Sequence, residues 1–300
     1  MRRKLDTTTA LVINTFPIAP QTLNIDMANE DSTYIHGTHP EEQRRLSAMN
    51  ETINDSFLRE LHLQGGECIL DVGSGLGQFS RAMARAADGC RVLGIERSSE
   101  QIAQAIKMAA EAGDMDKVDF RGGDAMNLAL KDDEWGTFDL AHTRFLLEHV
   151  HDPLSVVKGM VKAVRPGGRI VLADDDHQVF RVWPEPPGWG AMWEAYVHSY
   201  EKLANDPFVG RRLISLLYQA GAAPTRNTWV FFGGCSGQPI FERHAKNIYD
   251  ILQMARKTIV EEMFFDETYF DQSLANFQDW AKRPDSAMWY GISWAEAVRP

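Results

Sequence analysis

The sequence is poor in cysteine, in positive charge and in long apolar stretches, and each shortage excludes something. Its three cysteines, Cys68, Cys90 and Cys235, are scattered through 300 residues. They form neither a metal-ligand spacing nor a disulfide framework, which suits a reducing compartment such as the cytoplasm. Lys and Arg number 31 against 42 Asp and Glu, a net charge of −11. That balance argues against a nucleic-acid backbone or an anionic membrane as partner, and no basic patch stands out beyond Met1-Arg-Arg-Lys4. No apolar run is long enough to span a bilayer, and Ala10–Ile13 is too short for the core of a signal peptide. No Gly-Lys-Ser/Thr loop for a nucleoside triphosphate occurs. Internal repeats and low-complexity segments are also missing.

What is present is one short stretch that organises the rest, Cys68-Ile-Leu-Asp-Val-Gly-Ser-Gly-Leu-Gly77. An apolar run ends abruptly in Gly73, Gly75 and Gly77, and Phe79, Met83 and Ala87 follow at helical spacing. The pattern predicts strand, tight glycine loop, helix. Glycines let the backbone turn and approach a ligand that a Cβ would block, and the start of a helix carries partial positive charge. A dinucleotide loop would read Gly-x-Gly-x-x-Gly, but Gln78 stands where its third glycine belongs. The next apolar run, Val92–Ile95, ends in Glu96, about twenty residues past the loop, where a carboxylate suits a ribose diol.

With Gly123-Asp-Ala125 and Arg165-Pro-Gly-Gly-Arg169 added, the chain resembles the class I S-adenosylmethionine-dependent methyltransferases. The resemblance implies a doubly wound α/β fold around a seven-stranded, mostly parallel, Rossmann-like sheet, with the seventh strand antiparallel and slotted between the fifth and sixth. It implies S-adenosylmethionine as cofactor. Asp71, Gly73, Ser74, Gly75 and Gly77 would shape its amino-acid and ribose end. Glu96, followed by Arg97, would take the ribose hydroxyls, and Asp124 the adenine amino group with Ala125 alongside. Thr143 and Arg144 would line the methionine portion or the acceptor floor. Tyr34 would close over the cofactor, with Arg44 or Arg45 as further candidates for its carboxylate.

Alternating strands and helices support this architecture from the pattern alone. Helices are expected from Pro40 to Leu61, from Ser98 to Gly113 with caps at both ends, and from Asp152 to Val164. Strands are expected at Arg91–Glu96, Val118–Arg121, Phe138–His142 and Arg169–Ala173. Residues 174–205 change character, rich in acids, prolines and tryptophans. A helix over Val209–Ala220, a strand over Thr228–Phe232, helical periodicity through 239–283 and a last strand over Ala287–Trp294 complete the chain. The division that follows is an arm or lid over 1–40, a cofactor-binding core over 41–234, a helical lid insertion over 235–285, and a last core strand over 286–300.

Methyl transfer is an in-line displacement that needs a held donor, an aligned nucleophile and exclusion of water. A weakly acidic acceptor also needs a base. His177 and His149 follow the fifth and fourth strands on the face where the methyl group would point, and histidine titrates near neutrality. They are the expected catalytic residues, ahead of His142 and His151. Asp174-Asp-Asp-His177 invites a metal reading, but adjacent carboxylates cannot all face one ion. A solvated or arginine-paired acid cluster, with no metal, is the expectation.

The Asn/Asp-Pro-Pro-Tyr motif of nucleobase and amide enzymes is missing after the fourth strand, and so is a Pro-Cys nucleophile. Seven of the eight tryptophans follow the fifth strand. They suit a small, partly apolar or aromatic acceptor, or equally the packing of a helical cap. The expected function is therefore small-molecule methylation, without nucleic-acid or membrane partners and with a homodimer left open. A protein or RNA methyltransferase and a non-catalytic cofactor-binding module are the alternatives.

Overall fold

The structure, a computed structural model, describes residues 53–263 and 265–300. The helix expected after Pro40 is seen over residues 53–61 (α1), where Ile53, Phe57 and Leu61 are buried at helical spacing. Tyr34, Arg44, Arg45 and the 1–40 arm lie outside the described residues.

Five parallel strands form one half of the sheet: β1 (Cys68–Val72), β2 (Arg91–Glu96), β3 (Val118–Gly122), β4 (Phe138–Arg144) and β5 (Val164–Asp174). Ile69, Leu70, Val72, Val92 and Ile95 are all buried. Strands covered on both faces read as continuous apolar runs, because helices pack on each side. Those helices are α2 (Gln78–Ala86), α3 (Ser99–Ala112) and α4 (Pro153–Ala163). The expected caps form: Ser98 accepts from the Gln101 N–H, Gly113 closes α3 at φ 72°, and Asp152 accepts from the Ser155 N–H.

Beyond β5 the sheet reverses. The strand order is β3-β2-β1-β4-β5-β8, and β7 (Ala223–Cys235) pairs with the far edge of β8 (Ala287–Val298). β8 is antiparallel to both β5 and β7, as the resemblance implies. One strand more than expected is present. Arg181–Trp183 (β6) pairs antiparallel with Ala287–Trp289, prolonging the sheet past the end of β5, so eight strands replace seven.

Residues 174–205, which showed no readable periodicity, hold α5 (Trp189–Ser199). Its exposed residues, Gly190, Ala191, Glu194 and His198, share one face. Two of the four are small and not polar, so the polar stripe that a pattern would reveal is thin. Val209–Arg212 forms a 3-10 turn leading into α6 (Leu213–Gln219). Between β7 and β8 run α7 (Pro239–Lys257) and α8 (Glu267–Ala281). α5, α7 and α8 share an apolar cluster that includes Trp189, Trp193, Phe241, Phe270, Phe277 and Trp280. Four tryptophans, at 189, 193, 280 and 294, are thus spent on packing, while Trp183, Trp229 and Trp289 stay exposed. Among the described residues, no helix is long and apolar enough to cross a membrane.

Candidate active site

Parallel register brings the C-terminal ends of β1 to β5 to one rim, and both groups of expected site residues sit there. At β1 the chain breaks out of the sheet into the glycine loop, which is pinned to β2 because Gly73 and Ser74 both donate their N–H to the Ile95 carbonyl. The Gly75 N–H donates to Glu96 Oε2 at 3.1 Å, and the Ser98 N–H to Glu96 Oε1 at 2.9 Å. Glu96 is therefore held at the loop by two backbone donors. Each carboxylate oxygen keeps a lone pair for a further donor such as a ribose hydroxyl. Ser74 Oγ is buried with no hydrogen-bond partner, an unspent polar atom inside the loop. Asp124 is exposed past β3, closing a turn by accepting from the Met126 N–H at 2.9 Å, with Ala125 half-buried beside it. Arg97 is exposed.

Three other expected site residues make contacts within the protein. Asp71 is 3% exposed. It spends one oxygen on His142 Nδ1 at 2.9 Å and the other on the Ser80 hydroxyl at 2.5 Å. It ties β1 to β4 and α2. His142 is thereby an interior histidine. Thr143 is fully buried and donates to the Val72 carbonyl at 2.9 Å, so its hydroxyl is used inside the sheet. Arg144 lies over the rings of Phe79, Phe57 and Phe145, 4.1, 4.6 and 5.4 Å from their centroids, and donates to Asn54 at 3.0 Å. Burial depresses its guanidinium to about 10, still protonated at neutral pH. This arginine, the end of β4 and helices α1 and α2 make one aromatic-walled corner.

The second group lies past β4 and β5. His149 and His177, 28 residues apart, meet at one carboxylate. Glu148 Oε2 is 3.0 Å from His177 Nε2, and Glu148 Oε1 is 3.3 Å from His149 Nε2. Glu148 is not singled out in the sequence, because its only local signal is an acid beside His149 in the short turn Leu147 to Val150. His177 is 4% exposed, its ring flanked by Trp193, Tyr196 and Tyr200, and burial pushes its pKa down. His149 stacks on Tyr200, and 12% of its side chain is exposed against 5% for His177.

The three aspartates have separate fates, so the expectation of one solvated or arginine-paired cluster holds for Asp176 alone. Asp176 is gripped at both oxygens by Arg211, at 2.6 and 2.7 Å. Asp174 is fully buried and accepts the N–H groups of Leu146, Leu147 and Asp175, stapling the turn after β4 to β5. Asp175 accepts from the Tyr290 hydroxyl. Burial, then the nearby Glu148, raises Asp174 well above the usual carboxylate range and brings Asp175 to about 7.

This geometry puts a loop that can receive a ribose-bearing ligand on the same rim as a histidine–carboxylate cluster that can hold or move a proton. The methyltransferase domain family matches residues 70–172, the span from the glycine loop to β5. The chain is similar to the 27-O-demethylrifamycin SV methyltransferase of Amycolatopsis mediterranei (strain S699), 33% identical over 153 residues, 51% of this chain and 53% of that one. It is also similar to a ubiquinone biosynthesis O-methyltransferase of Xanthomonas oryzae pv. oryzae (strain PXO99A), 32% identical over 131 residues, 44% of this chain and 52% of that one. The chain spans about half the length of the curated relatives it matches. In fold it is similar to geranyl diphosphate C-methyltransferase from Streptomyces coelicolor A3(2), with a TM-score of 0.53 at 17% identity, covering 87% of this chain and 85% of that one. Residues 70–172 thus carry a match to the methyltransferase domain, on a fold similar to that of a methyltransferase of known structure.

Proposed function

We propose that the protein transfers a methyl group from S-adenosylmethionine to a small, partly apolar molecule, and that His149 receives the acceptor's proton. The observation that carries this is the shared rim. The glycine loop with Glu96 and the Glu148–His149–His177 cluster open from the same strand ends of one sheet. The cofactor supplies a methyl group already activated by its sulfonium. The loop Gly73–Gly77 would receive the amino-acid end, Glu96 the ribose diol, and Asp124 the adenine edge. Ser74 Oγ, unpartnered in the loop, fits a polar ligand there.

Of the two expected bases, His149 is favoured by access and His177 is disfavoured by enclosure in aromatic rings. Glu148 would orient His149 and stabilise its protonated form. The rifamycin and ubiquinone enzymes carry names of small-molecule O-methylation, and the net charge of −11 opposes a nucleic-acid substrate.

Residues 235–285, expected as a lid, are proposed as a fixed cap instead. α7 and α8 share a buried aromatic cluster with α5, and a packed core of that kind resists hinging.

The test is turnover against a panel of phenolic, enolic and amine acceptors, with His149→Ala and His177→Ala beside the wild type. Loss of a true base should cost about 10²–10⁴ in turnover with cofactor affinity nearly unchanged. Wild-type turnover and an unshifted pH profile in His149→Ala would remove it from the mechanism.

A further inference from the structure

Glu148, Asp175 and His177 converge from two segments: the turn after β4, and the chain just past β5 that leads into a 3-10 turn at His177. All three are buried, and one ligand-capable atom of each lies within 4.8 Å of those of the other two. Glu148 Oε2 and His177 Nε2 are 3.0 Å apart. Two donors at right angles on an ion, with bonds of about 2.1 Å, stand at that separation.

Their neighbours are otherwise committed: Asp174 to three backbone N–H groups and Asp176 to Arg211. Asp175 is not held by an arginine; its partner is the Tyr290 hydroxyl, which can orient the carboxylate without neutralising it. A neutral imidazole has one lone pair to give. Nδ1 of His177 is buried with no hydrogen-bond partner while Nε2 faces Glu148, so that lone pair is unspent or is directed at the cluster. Two carboxylates and one imidazole, from two segments and closed off by Tyr196, Tyr200 and Trp193, make a mixed oxygen–nitrogen donor set.

We propose that Glu148, Asp175 and His177 form a buried site for a first-row divalent transition ion. A mixed imidazole–carboxylate set suits manganese, iron or zinc rather than calcium, which takes oxygen ligands alone. The ion would use Glu148 Oε2 and leave Oε1 with His149. Three protein ligands leave coordination positions open, and an oxygen-bearing small molecule is the class of ligand that would fill them. Ion binding here does not depend on the methyl-transfer reading, and the two can fail separately.

The full-length protein, treated with EDTA and desalted, is titrated with Mn²⁺ and the free ion is followed by electron paramagnetic resonance. One ion per chain is expected, displaced by Zn²⁺, which such sites bind more tightly. Asp175→Asn and His177→Gln should each weaken Mn²⁺ by at least about tenfold, whereas Asp176→Asn, in the adjacent arginine pair, should leave affinity unchanged. Circular dichroism and melting in EDTA check that the variants fold, and Zn²⁺ should raise the melting temperature of the wild type and of Asp176→Asn more than that of Asp175→Asn or His177→Gln. If either variant fails to fold, the wild-type titration still decides. No bound Mn²⁺ or Zn²⁺ at about 1 mM free ion, far weaker than a built site, or unchanged affinity in a folded Asp175→Asn, overturns the proposal.

Discussion

Gly77 and Glu96 show how much a single position can carry. Gly77 stands at φ 65°, and a Cβ built on it would come 2.3 Å from the Phe120 ring. The glycine is needed to seat the loop on β3, not only to admit a ligand. Gly77→Ala should therefore lower stability by about 2–4 kcal/mol, through strain and overpacking together, read as a fall in melting temperature without cofactor. A melting temperature equal to wild type would contradict that seating. Glu96 has the opposite profile: it is half-buried at the mouth of the loop, so Glu96→Ala should weaken cofactor binding by about 1–3 kcal/mol, measured by calorimetry. Both residues were legible in the sequence because their signals are local: a glycine spacing and an acid at the end of an apolar run. Glu148 was not, since its meaning depends on His177, 29 residues away, and on a turn that only the folded sheet closes. Asp71 reads in the sequence as shaping the ligand end of the loop, and its partners, His142 and Ser80, lie on elements that a linear pattern cannot bring together.

At the scale of elements, the parallel half of the sheet was readable and the segment after β5 was not. Strands β1, β2, β4 and β5 are apolar runs punctuated by glycine or acid, and α3 and α4 carry their own caps. The exposed face of α5 is marked by only two polar side chains, Glu194 and His198, and β6 has only three residues, so neither offers a clear period to detect. The docking of α7 on β7 gives a pH prediction. His244 on α7 stacks on Phe232 of β7, ring centroids 4.8 Å apart and 7° from parallel. Burial, aided by Arg243, pushes its pKa down to about 4 from 6.5. A depressed folded-state pKa gives stability that is fully present above pH 6.5 and lost as pH falls through about 4. Wild type should therefore lose up to about 3 kcal/mol more than His244→Phe over that interval, followed as melting temperature against pH. Parallel profiles for the two proteins would mean that His244 charges without cost.

Over the whole molecule, two apolar clusters flank the sheet and a third joins α5, α7 and α8 into the cap. The aromatic-rich C-terminal half was visible in the sequence, but whether it walls a pocket or fills a core was not, because composition carries no direction. Four buried tryptophans settle most of it in favour of packing. The fixed-cap reading predicts that hydrogen exchange in α7 and α8 is unchanged by the demethylated cofactor, while the loop Gly73–Gly77 gains protection. Slowed exchange across both helices would restore a closing lid. The central claim, however, concerns the loop and the ligand it holds. Isothermal titration calorimetry of the full-length protein with S-adenosylmethionine, with its demethylated product and with a nicotinamide dinucleotide tests it most directly. One site is expected for each of the first two, weakened by Glu96→Ala, and none for the third. Binding of neither sulfur nucleoside, or tighter binding of the dinucleotide, would contradict it.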